Sequence, residues 1–230
     1  MPARISIIMP TLNAAATLPR SLEALIEGLG TGLGTGLIRE LIVSDGGSDD
    51  ATPDMAVAAG ALVLTGPPSR GGQLQRGCAA ASGQWLLILH ADTVLSPGWA
   101  QVVSDHINRA GAGPAWFRLR FDDPGVMASW AAGWANLRAR LFGLPYGDQG
   151  LLVAKDDYLR AGGYPDQPLM EDVALVRALG GLTGLPAEAR TSAGKYQRDG
   201  WLRRGARNLW TLMRYFSGAD PEILATRYRQ

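Results

Sequence analysis

The first half of the chain alternates short apolar runs with stretches of helical periodicity, and this alternation restricts the fold more than any other feature. The apolar runs are rich in Ile, Leu and Val and predict four strands, at 5–9, 40–44, 61–65 and 85–90. The other stretches predict helices near 17–28, 50–59, 71–82 and 97–110. Strands that alternate with helices are joined by crossover connections, so we expect an α/β fold with a mostly parallel sheet and helices on both faces.

The second half of the chain has a different pattern. Residues 115–121, AWFRLRF, alternate as in a strand with one solvated face, and another strand is expected at 150–154. Helices are expected at 125–142, from Glu171 onward and over 201–229. No linker separates the halves, so we expect one domain over 1–230 with helices at its C-terminus.

The composition argues against several classes of protein. Lys and Arg number 22 and Asp and Glu 21, so the net charge of +1 gives no reason to expect a nucleic-acid partner. Cys78 is the single cysteine, which excludes an intrachain disulfide and fits a reducing compartment. No window of about 18 apolar residues predicts a spanning helix, and the N-terminal apolar run is too short for a signal peptide. We therefore expect a cytoplasmic protein.

A glycine-rich repeat, GLGTGLGTGL, covers residues 28–37. It follows a predicted helix and precedes a predicted strand, whereas a dinucleotide-binding loop follows a strand and opens a helix with the spacing GxGxxG. We therefore expect a flexible surface loop rather than a nucleotide site.

An acidic residue follows the second predicted strand. Asp45 lies in SDGGSDD, where Gly46 and Gly47 would let a ligand approach the backbone closely. The alternative is a tight turn, and in either case Ser48 and Asp49 are expected to cap the next helix. Since ligands of open α/β sheets bind outside the carboxyl ends of the strands, Asp45 is a candidate ligand-facing residue.

The fourth predicted strand ends in HADT, which brings His90 and Asp92 to the same edge of the sheet. The carboxylate of Asp92 suits a divalent cation that bridges two phosphates, because hard cations prefer oxygen ligands. His90 can donate a hydrogen bond or ligate a softer ion such as Mn²⁺. The alternative is structural: Asp92 or Thr93 turns the chain, and His90 is a satisfied core histidine.

Two further segments suit a phosphate and a proton transfer. Arg70 precedes two glycines and a helix, and an arginine beside a helix N-terminus suits a phosphate, although an ordinary loop fits this stretch equally. Glu171 and Asp172 open another helix. Acids are common there because of the helix dipole, but one of them can also serve as a general base that the other orients.

In this order along the chain, the motifs resemble those of family 2 glycosyltransferases, which have the Rossmann-like α/β fold called GT-A. An acid follows strand two, HAD follows strand four, and ED stands further downstream. The resemblance covers nearly the whole chain. More narrowly, four segments are similar to a bacterial subfamily labelled arsenosugar-biosynthesis or radical-SAM-associated glycosyltransferases: RGGQLQRGCAAASGQWLLILHADT, PYGDQGLLV, GGYPDQPLMED and KYQRDG.

The resemblance implies a role for each candidate residue. The nucleotide would be bound by Pro10, Asn13, Asp45, Arg70, Gln73 and His90. The metal ion, Mn²⁺ or Mg²⁺, would be held by Asp92 and His90. The catalytic base would be Asp172, with Glu171 as its neighbour. The acceptor or sugar pocket would contain Asp148, Gln149, Lys195 and Arg198.

Two departures from the family pattern affect these roles. HAD stands where the family usually has DxD, so one carboxylate rather than two is offered to the metal. SAGKYQRDG, at 192–200, replaces a more basic stretch that contains a tryptophan, which leaves Lys195 and Arg198 as its cations.

The implied function is inverting, divalent-cation-assisted transfer of a sugar from a UDP- or GDP-linked donor to an acceptor hydroxyl. Residues 1–110 would form a nucleotide-binding lobe, 111–200 an acceptor lobe and 201–230 a helical tail. The alternative is a non-catalytic or degenerate nucleotide-sugar-binding module, because the DxD is reduced. A sugar-phosphate nucleotidyltransferase is disfavoured, because PTLNAAATLPR lacks a glycine-rich loop after the first strand.

Residues 201–216 combine arginines with aromatic and aliphatic residues in a helical pattern. A basic amphipathic helix can lie on an anionic membrane, which would here be the inner face. The alternatives are a helix that packs on the core, one that covers the acceptor site, and one that forms a homodimer contact.

Overall fold

The computed structural model describes residues 4–29 and 36–229, and the glycine-rich stretch over 28–37 lies largely outside these ranges. Within them the chain forms eight strands and ten α-helices. The strands are β1 (Ile5–Thr11), β2 (Ile38–Asp45), β3 (Leu62–Thr65), β4 (Trp85–Ile88), β5 (Thr93–Leu95), β6 (Ala115–Phe121), β7 (Leu151–Ala154) and β8 (Thr183–Thr191). The helices are α1 (Leu18–Leu25), α2 (Thr52–Ala58), α3 (Arg70–Ala80), α4 (Trp99–Ile107), α5 (Val126–Phe142), α6 (Lys155–Arg160), α7 (Glu171–Leu179), α8 (Gly194–Asp199), α9 (Trp201–Phe216) and α10 (Pro221–Arg229).

The strands form one sheet with the order β3-β2-β1-β4-β7-β6-β8-β5. The first four strands in this order pair in parallel, as does β6 with β8, whereas β7 and β5 run against their neighbours. The expected α/β fold with a mostly parallel sheet and C-terminal helices is therefore confirmed. Because β1, β2 and β4 run in the same direction, their carboxyl ends meet at one edge of the sheet.

Strands β1 and β4 are buried on both faces, which explains their continuous apolar sequences. Successive side chains of a strand point to opposite faces, so alternate residues of these strands enter two separate cores. Ile7 and Leu87 lie in one core, with the fully buried Trp99 of α4. Ile8 and Leu86 lie in the other, which also contains residues of α3 and α7.

The end of β4 differs from its prediction. The strand ends at Ile88 rather than at residue 90, although the N–H of Leu89 still donates to the carbonyl oxygen of Ile8 at 3.0 Å. His90 and Asp92 therefore lie in the connection to β5, a short strand that the periodicity did not predict.

The predicted cap of the helix after β2 is wrong. Helix α2 begins at Thr52, and neither Ser48 nor Asp49 caps it. Instead, the side chain of Asp50 accepts a hydrogen bond from the N–H of Thr52 at 2.9 Å. The hydroxyl of Ser48 turns back and donates to the carboxylate of Asp45 at 2.6 Å.

Strand β8 and the break in the tail were also not predicted. The sequence of β8, TGLPAEART, has low strand propensity, and it becomes a strand because β6 and β5 pair with it on its two sides. The expected helix over 201–229 is divided into α9 and α10 near Gly218, which has a φ of 85°. Among the described residues, no helix combines the length and the apolar character that a membrane span requires.

A glycine allows α3 to approach the segment that leads into α7. The N–H of Gly71 donates to the carbonyl oxygen of Gln167 at 3.1 Å. A Cβ atom on Gly71 would contact the carbonyl oxygen of Pro165 and lie 2.6 Å from the backbone nitrogen of Gln167. Glycine at this position therefore lets Arg70 lie beside Glu171 at the start of α7, with Arg70 Nε 3.9 Å from Glu171 Oε1.

Gly71→Ala is expected to lower the free energy of unfolding by about 2 kcal/mol or more, because the added methyl group meets backbone atoms that cannot rotate away. The matched control is Gly133→Ala in α5, where the space around the added Cβ is open and alanine should stabilise the helix by up to ~1 kcal/mol. Urea unfolding followed by circular dichroism measures both changes. Equal stability of the two variants would contradict the close contact at Gly71.

Candidate active site

A cleft of about 600 Å³ opens at the carboxyl ends of β1 and β4. A smaller cavity of about 130 Å³ adjoins it and reaches the start of α7. The two share one set of polar lining residues: Arg70, His90, Asp92, Lys195, Arg204 and Tyr228. Three of these side chains are cationic, which favours an anionic ligand at the junction of the cleft and the cavity.

The expected nucleotide-binding residues Pro10, Asn13 and Gln73 all line the cleft. Asn13 has a φ of 50°, and its side-chain oxygen accepts a hydrogen bond from the N–H of Asp49 at 3.1 Å. Gln73 is buried, and its Nε2 donates to the carbonyl oxygens of Thr11 and Ser44 at 2.7 and 2.9 Å. These contacts hold the ends of β1 and β2 together and shape one wall of the cleft.

Asp45 is buried away from the cleft, with 1% of its surface exposed. Its carboxylate accepts four hydrogen bonds, from the hydroxyls of Thr11 and Ser48 and from the N–H groups of Gly47 and Ser48, at 2.6–2.8 Å. Burial opposes its charge, but these bonds outweigh burial and lower the pKa of Asp45 below its ordinary value. The structure therefore places Asp45 as the anchor of the loop after β2 and does not bring it into the cleft.

His90 and Asp172 meet across Gly147. A Cβ atom on Gly147 would lie 2.5 Å from Nε2 of His90, so the imidazole packs directly against this glycine. The N–H of Gly147 donates to Oδ2 of Asp172 at 2.7 Å. Burial, followed by the charge of Arg70, lowers the pKa of His90 to about 4, so the imidazole is neutral at neutral pH.

The start of α7 carries two carboxyl groups with different surroundings. Met170 precedes them with a φ of 64°, an uncommon conformation for a residue with a side chain. Asp172 lines the cavity, and its second oxygen, Oδ1, accepts from the N–H of Val173 at 2.7 Å. Glu171 has 3% of its surface exposed, and its Oε2 has no hydrogen-bond partner among the described residues. Burial, together with the charge of Asp172, raises the pKa of Glu171 to about 7.

The residues expected in the acceptor pocket are divided between the cavity and its surroundings. Lys195 and Asp148 line the cavity, and burial raises the pKa of Asp148 to about 6. Gln149 is fully buried outside the cavity, where Nε2 donates to Asn136 at 3.2 Å and Oε1 accepts from the N–H of Tyr146 at 3.3 Å. Arg198 is exposed and does not line the cavity.

The C-terminal helices supply site residues that the sequence analysis missed. Arg204 lies in both the cleft and the cavity and pairs with Asp199 at 2.7 Å. Tyr228 of α10 accepts a hydrogen bond from Arg204 at 3.2 Å and donates to Asn208 at 2.8 Å. Residues 204 and 208 are four apart, so the sequence places both on one face of the helix. Periodicity does not indicate that this face lines a site, and for this reason the two residues were missed.

The side chains around Asp92 could bind a divalent cation only together with a ligand that supplies further oxygen atoms. Among the described residues, no group of three or more His, Cys, Asp or Glu side chains could hold a metal by itself. Asp92 lines both the cleft and the cavity, and His90, which is neutral, can offer a nitrogen ligand beside it. An ion at this place would complete its coordination shell with water or with oxygens of the ligand.

Comparison with known proteins gives one family and one fold. A model of glycosyl transferase family 2 matches residues 6–144. The structure of a mycobacterial protein is 22% identical, with a TM-score of 0.56 over 83% of this chain and 66% of that chain. Among curated proteins, no sequence matches significantly.

Glucosyl-3-phosphoglycerate synthase from Mycobacterium tuberculosis is also similar. Its complex with Mn²⁺, UDP and glucosyl-3-phosphoglycerate is 21% identical, with a TM-score of 0.56 over 90% of this chain and 78% of that chain. Its complex with Mn²⁺, UDP-glucose and phosphoglyceric acid is 21% identical, with a TM-score of 0.55 over 83% and 70%.

The structural similarities agree with the sheet order and the C-terminal helices in assigning the GT-A fold. The family model covers more than half of the 230 residues, from β1 into the loop after α5, and includes every strand whose carboxyl end borders the cleft. The chain belongs to glycosyltransferase family 2.

Proposed function

We propose that this protein transfers a sugar, with inversion at the anomeric carbon, from a nucleoside-diphosphate sugar to an acceptor hydroxyl. The observation that carries the proposal is the meeting of three cations, Arg70, Lys195 and Arg204, with Asp92 at the junction of the cleft and the cavity that Asp172 lines. A diphosphate at this junction would place its nucleoside in the cleft and its sugar toward the cavity.

UDP is the favoured nucleotide, with GDP as the alternative. The mycobacterial synthase of the same fold binds UDP and UDP-glucose with Mn²⁺. A cation held by Asp92 and His90, Mn²⁺ or Mg²⁺, would offset the negative charge that develops on the departing diphosphate. The guanidinium groups of Arg70 and Arg204 and the ammonium group of Lys195 supply further positive charge there, which compensates for the single carboxylate of HAD.

Asp172 is the proposed general base. Hydrogen bonds from Gly147 and Val173 fix its carboxylate, and each oxygen keeps a lone pair for an incoming hydroxyl. The hydroxyl gives its proton to Asp172 and bonds to the anomeric carbon, while the bond from that carbon to the phosphate oxygen breaks. Glu171 is buried and has a pKa raised to about 7, so near neutral pH about half of these carboxyl groups keep a proton beside Asp172.

The finer assignments rest on the motifs. We propose a nucleotide lobe over 1–110, an acceptor lobe over 111–200 and a helical tail over 201–230. Membership of the arsenosugar-biosynthesis or radical-SAM-associated subfamily stays a prediction, as does a cytoplasmic location. A non-catalytic nucleotide-sugar-binding module is the competing function, and turnover distinguishes it from the enzyme.

Asp172→Asn is expected to lower kcat by about 10²- to 10⁴-fold, because the amide cannot take the proton. The amide oxygen can still accept from Gly147, so UDP should bind within about 2-fold of the parent affinity. The measurements are release of nucleoside diphosphate from a panel of nucleotide sugars and acceptors, and calorimetric titration with UDP. Asp54→Asn, an exposed acid in the first turn of α2, is the matched control. Unchanged turnover in Asp172→Asn would remove Asp172 as the base.

Asp92→Asn is expected to remove the effect of metal on nucleotide binding. In the parent, Mn²⁺ or Mg²⁺ should tighten the binding of UDP by about 10-fold or more, because the ion joins Asp92 to the diphosphate. Titrations of UDP, GDP and CDP with and without each metal measure this effect and name the base that is preferred. The same metal effect in Asp92→Asn and in the parent would contradict the assigned ligand, and equal, negligible binding of all three nucleotides would contradict the proposed donor.

Glu171→Gln is expected to change how stability depends on pH. The pKa of Glu171 is raised from 4.5 to about 7, so between these values the folded chain keeps a proton that the unfolded chain releases. The free energy of unfolding therefore falls as the pH rises through this window. The glutamine variant should exceed the parent in stability by on the order of 1 to 3 kcal/mol near about pH 8, and the gain should shrink near about pH 5.

Urea unfolding at the two pH values measures this difference. Glu23→Gln, at an exposed glutamate of α1, is the control and should show the pH dependence of the parent. A constant difference between Glu171→Gln and the parent across the range would contradict the raised pKa.

A further inference from the structure

Helix α5 presents its small residues inward and its large apolar residues outward. Its buried residues are all alanines: Ala128, Ala132, Ala135 and Ala139. Its exposed apolar residues include Trp130, Trp134, Leu137 and Leu141. At 3.6 residues per turn these two sets lie on opposite faces of the helix. A surface helix of a globular protein usually has the reverse arrangement.

Helix α9 also carries an exposed apolar stripe, opposite the face that lines the active site. Arg204 and Asn208 line the cavity, and Leu212 on the same side is buried in the core. The opposite side exposes Leu202, Leu209, Met213 and Phe216, with Trp210 at its margin. One face of α9 therefore belongs to the site, and the other has no covering element in the described part of the chain.

The two helices are neighbours. Helix α5 contacts α9, and Trp201 at the start of α9 packs with the buried alanines of α5. We call the exposed apolar residues of both helices, at 130, 134, 137, 141, 202, 209, 210, 213 and 216, the α5/α9 face. Three of the seven tryptophans of the chain lie on this face. Exposed apolar residues concentrated in this way mark an interaction surface rather than scattered surface residues.

The charge of these helices selects the kind of partner. The two helices contain six arginines and no Asp or Glu. Arg204 and Arg207 pair with Asp199, and Arg138 lies over the ring of Tyr146, so the other three arginines remain for a partner. Arg140 and Arg203 are exposed beside the apolar residues, and Arg177 lies over the ring of Phe216 at 5.0 Å. An apolar face with arginines and without acids is complementary to a surface that is apolar inside and anionic outside.

We propose that the α5/α9 face docks on the surface of an anionic lipid bilayer. Tryptophan and leucine side chains would enter the interface, and the arginines would contact lipid phosphates. A second copy of this chain fits less well, because α5 and α9 contain no acidic residue with which the arginines of the other copy could pair. Docking would hold the cavity about one helix diameter, ~10 Å, from the lipid headgroups.

The test is flotation of the full chain with vesicles of phosphatidylcholine alone or of equimolar phosphatidylcholine and phosphatidylglycerol. The parent should float with the anionic vesicles, less so at high salt, with a blue shift of tryptophan fluorescence. The double variant Leu141→Ser/Leu202→Ser, at side chains 63% and 66% exposed, should lose about 10-fold in vesicle affinity. Arg203→Gln should also bind more weakly and with a smaller salt effect.

The control variants carry the same changes away from the α5/α9 face. Leu62→Ser/Leu159→Ser replaces leucines of β3 and α6 that are 48% and 60% exposed, and Arg109→Gln removes an exposed arginine after α4. Both should bind vesicles as the parent does. An unchanged midpoint of urea unfolding in every variant shows that the fold is intact, and this control does not depend on the proposed transfer reaction.

Three results would overturn the proposal. The first is failure of the parent to float with anionic vesicles. The second is an equal loss of vesicle affinity in Leu141→Ser/Leu202→Ser and in the control Leu62→Ser/Leu159→Ser. The third is a dimer, detected by sedimentation, that Leu141→Ser/Leu202→Ser dissociates; this result would assign the face to a second copy of the chain.

Discussion

The contact of Gly147 with His90 and Asp172 is the constraint on which the arrangement of the site depends. It joins the connection after β4, the turn before β7 and the start of α7, which are distant in sequence. A Cβ on this residue would lie 2.5 Å from the imidazole, so any other residue would displace His90. The backbone N–H of Gly147 holds the carboxylate of Asp172, so no donor side chain has to be ordered to make this contact. If Asp172 is the base, as we propose, its carboxylate is oriented before the substrate arrives.

The part of the fold that follows from burial was predictable from the sequence. Strands β1 and β4 are covered on both faces, so their apolar runs identify them, and parallel pairing then brings Pro10 and Asp92 to one edge. Side-chain direction was less predictable. Asp45 stands at the right strand end, yet its carboxylate accepts three hydrogen bonds from Gly47 and Ser48 of its own turn and one from Thr11, and it does not line the cleft. The sequence fits both a tight turn and a ligand-facing residue and does not decide between them.

The tail shows a second limit of the sequence. Periodicity places Arg204 and Asn208 on one face of α9 and the leucines on the other. The usual assumption that the apolar face is buried assigns the wrong face to the interior, since the polar face meets the cavity and Tyr228. Strand β8 was missed for a related reason, because pairing with β6 and β5 outweighs its low intrinsic propensity.

The small inward residues of α5 have a cause in the wall of the cavity. Phe121, Tyr196 and Trp201 pack against one another, with ring centroids 4.9–5.2 Å apart, and Phe121 and Tyr196 also line the cavity. These rings occupy the space beneath α5 and pack with its alanines, which leaves little room there for larger side chains. The tryptophans and leucines of α5 point outward, where no element of the described chain covers them. The packing that builds the cavity wall thus also produces the exposed face beside it.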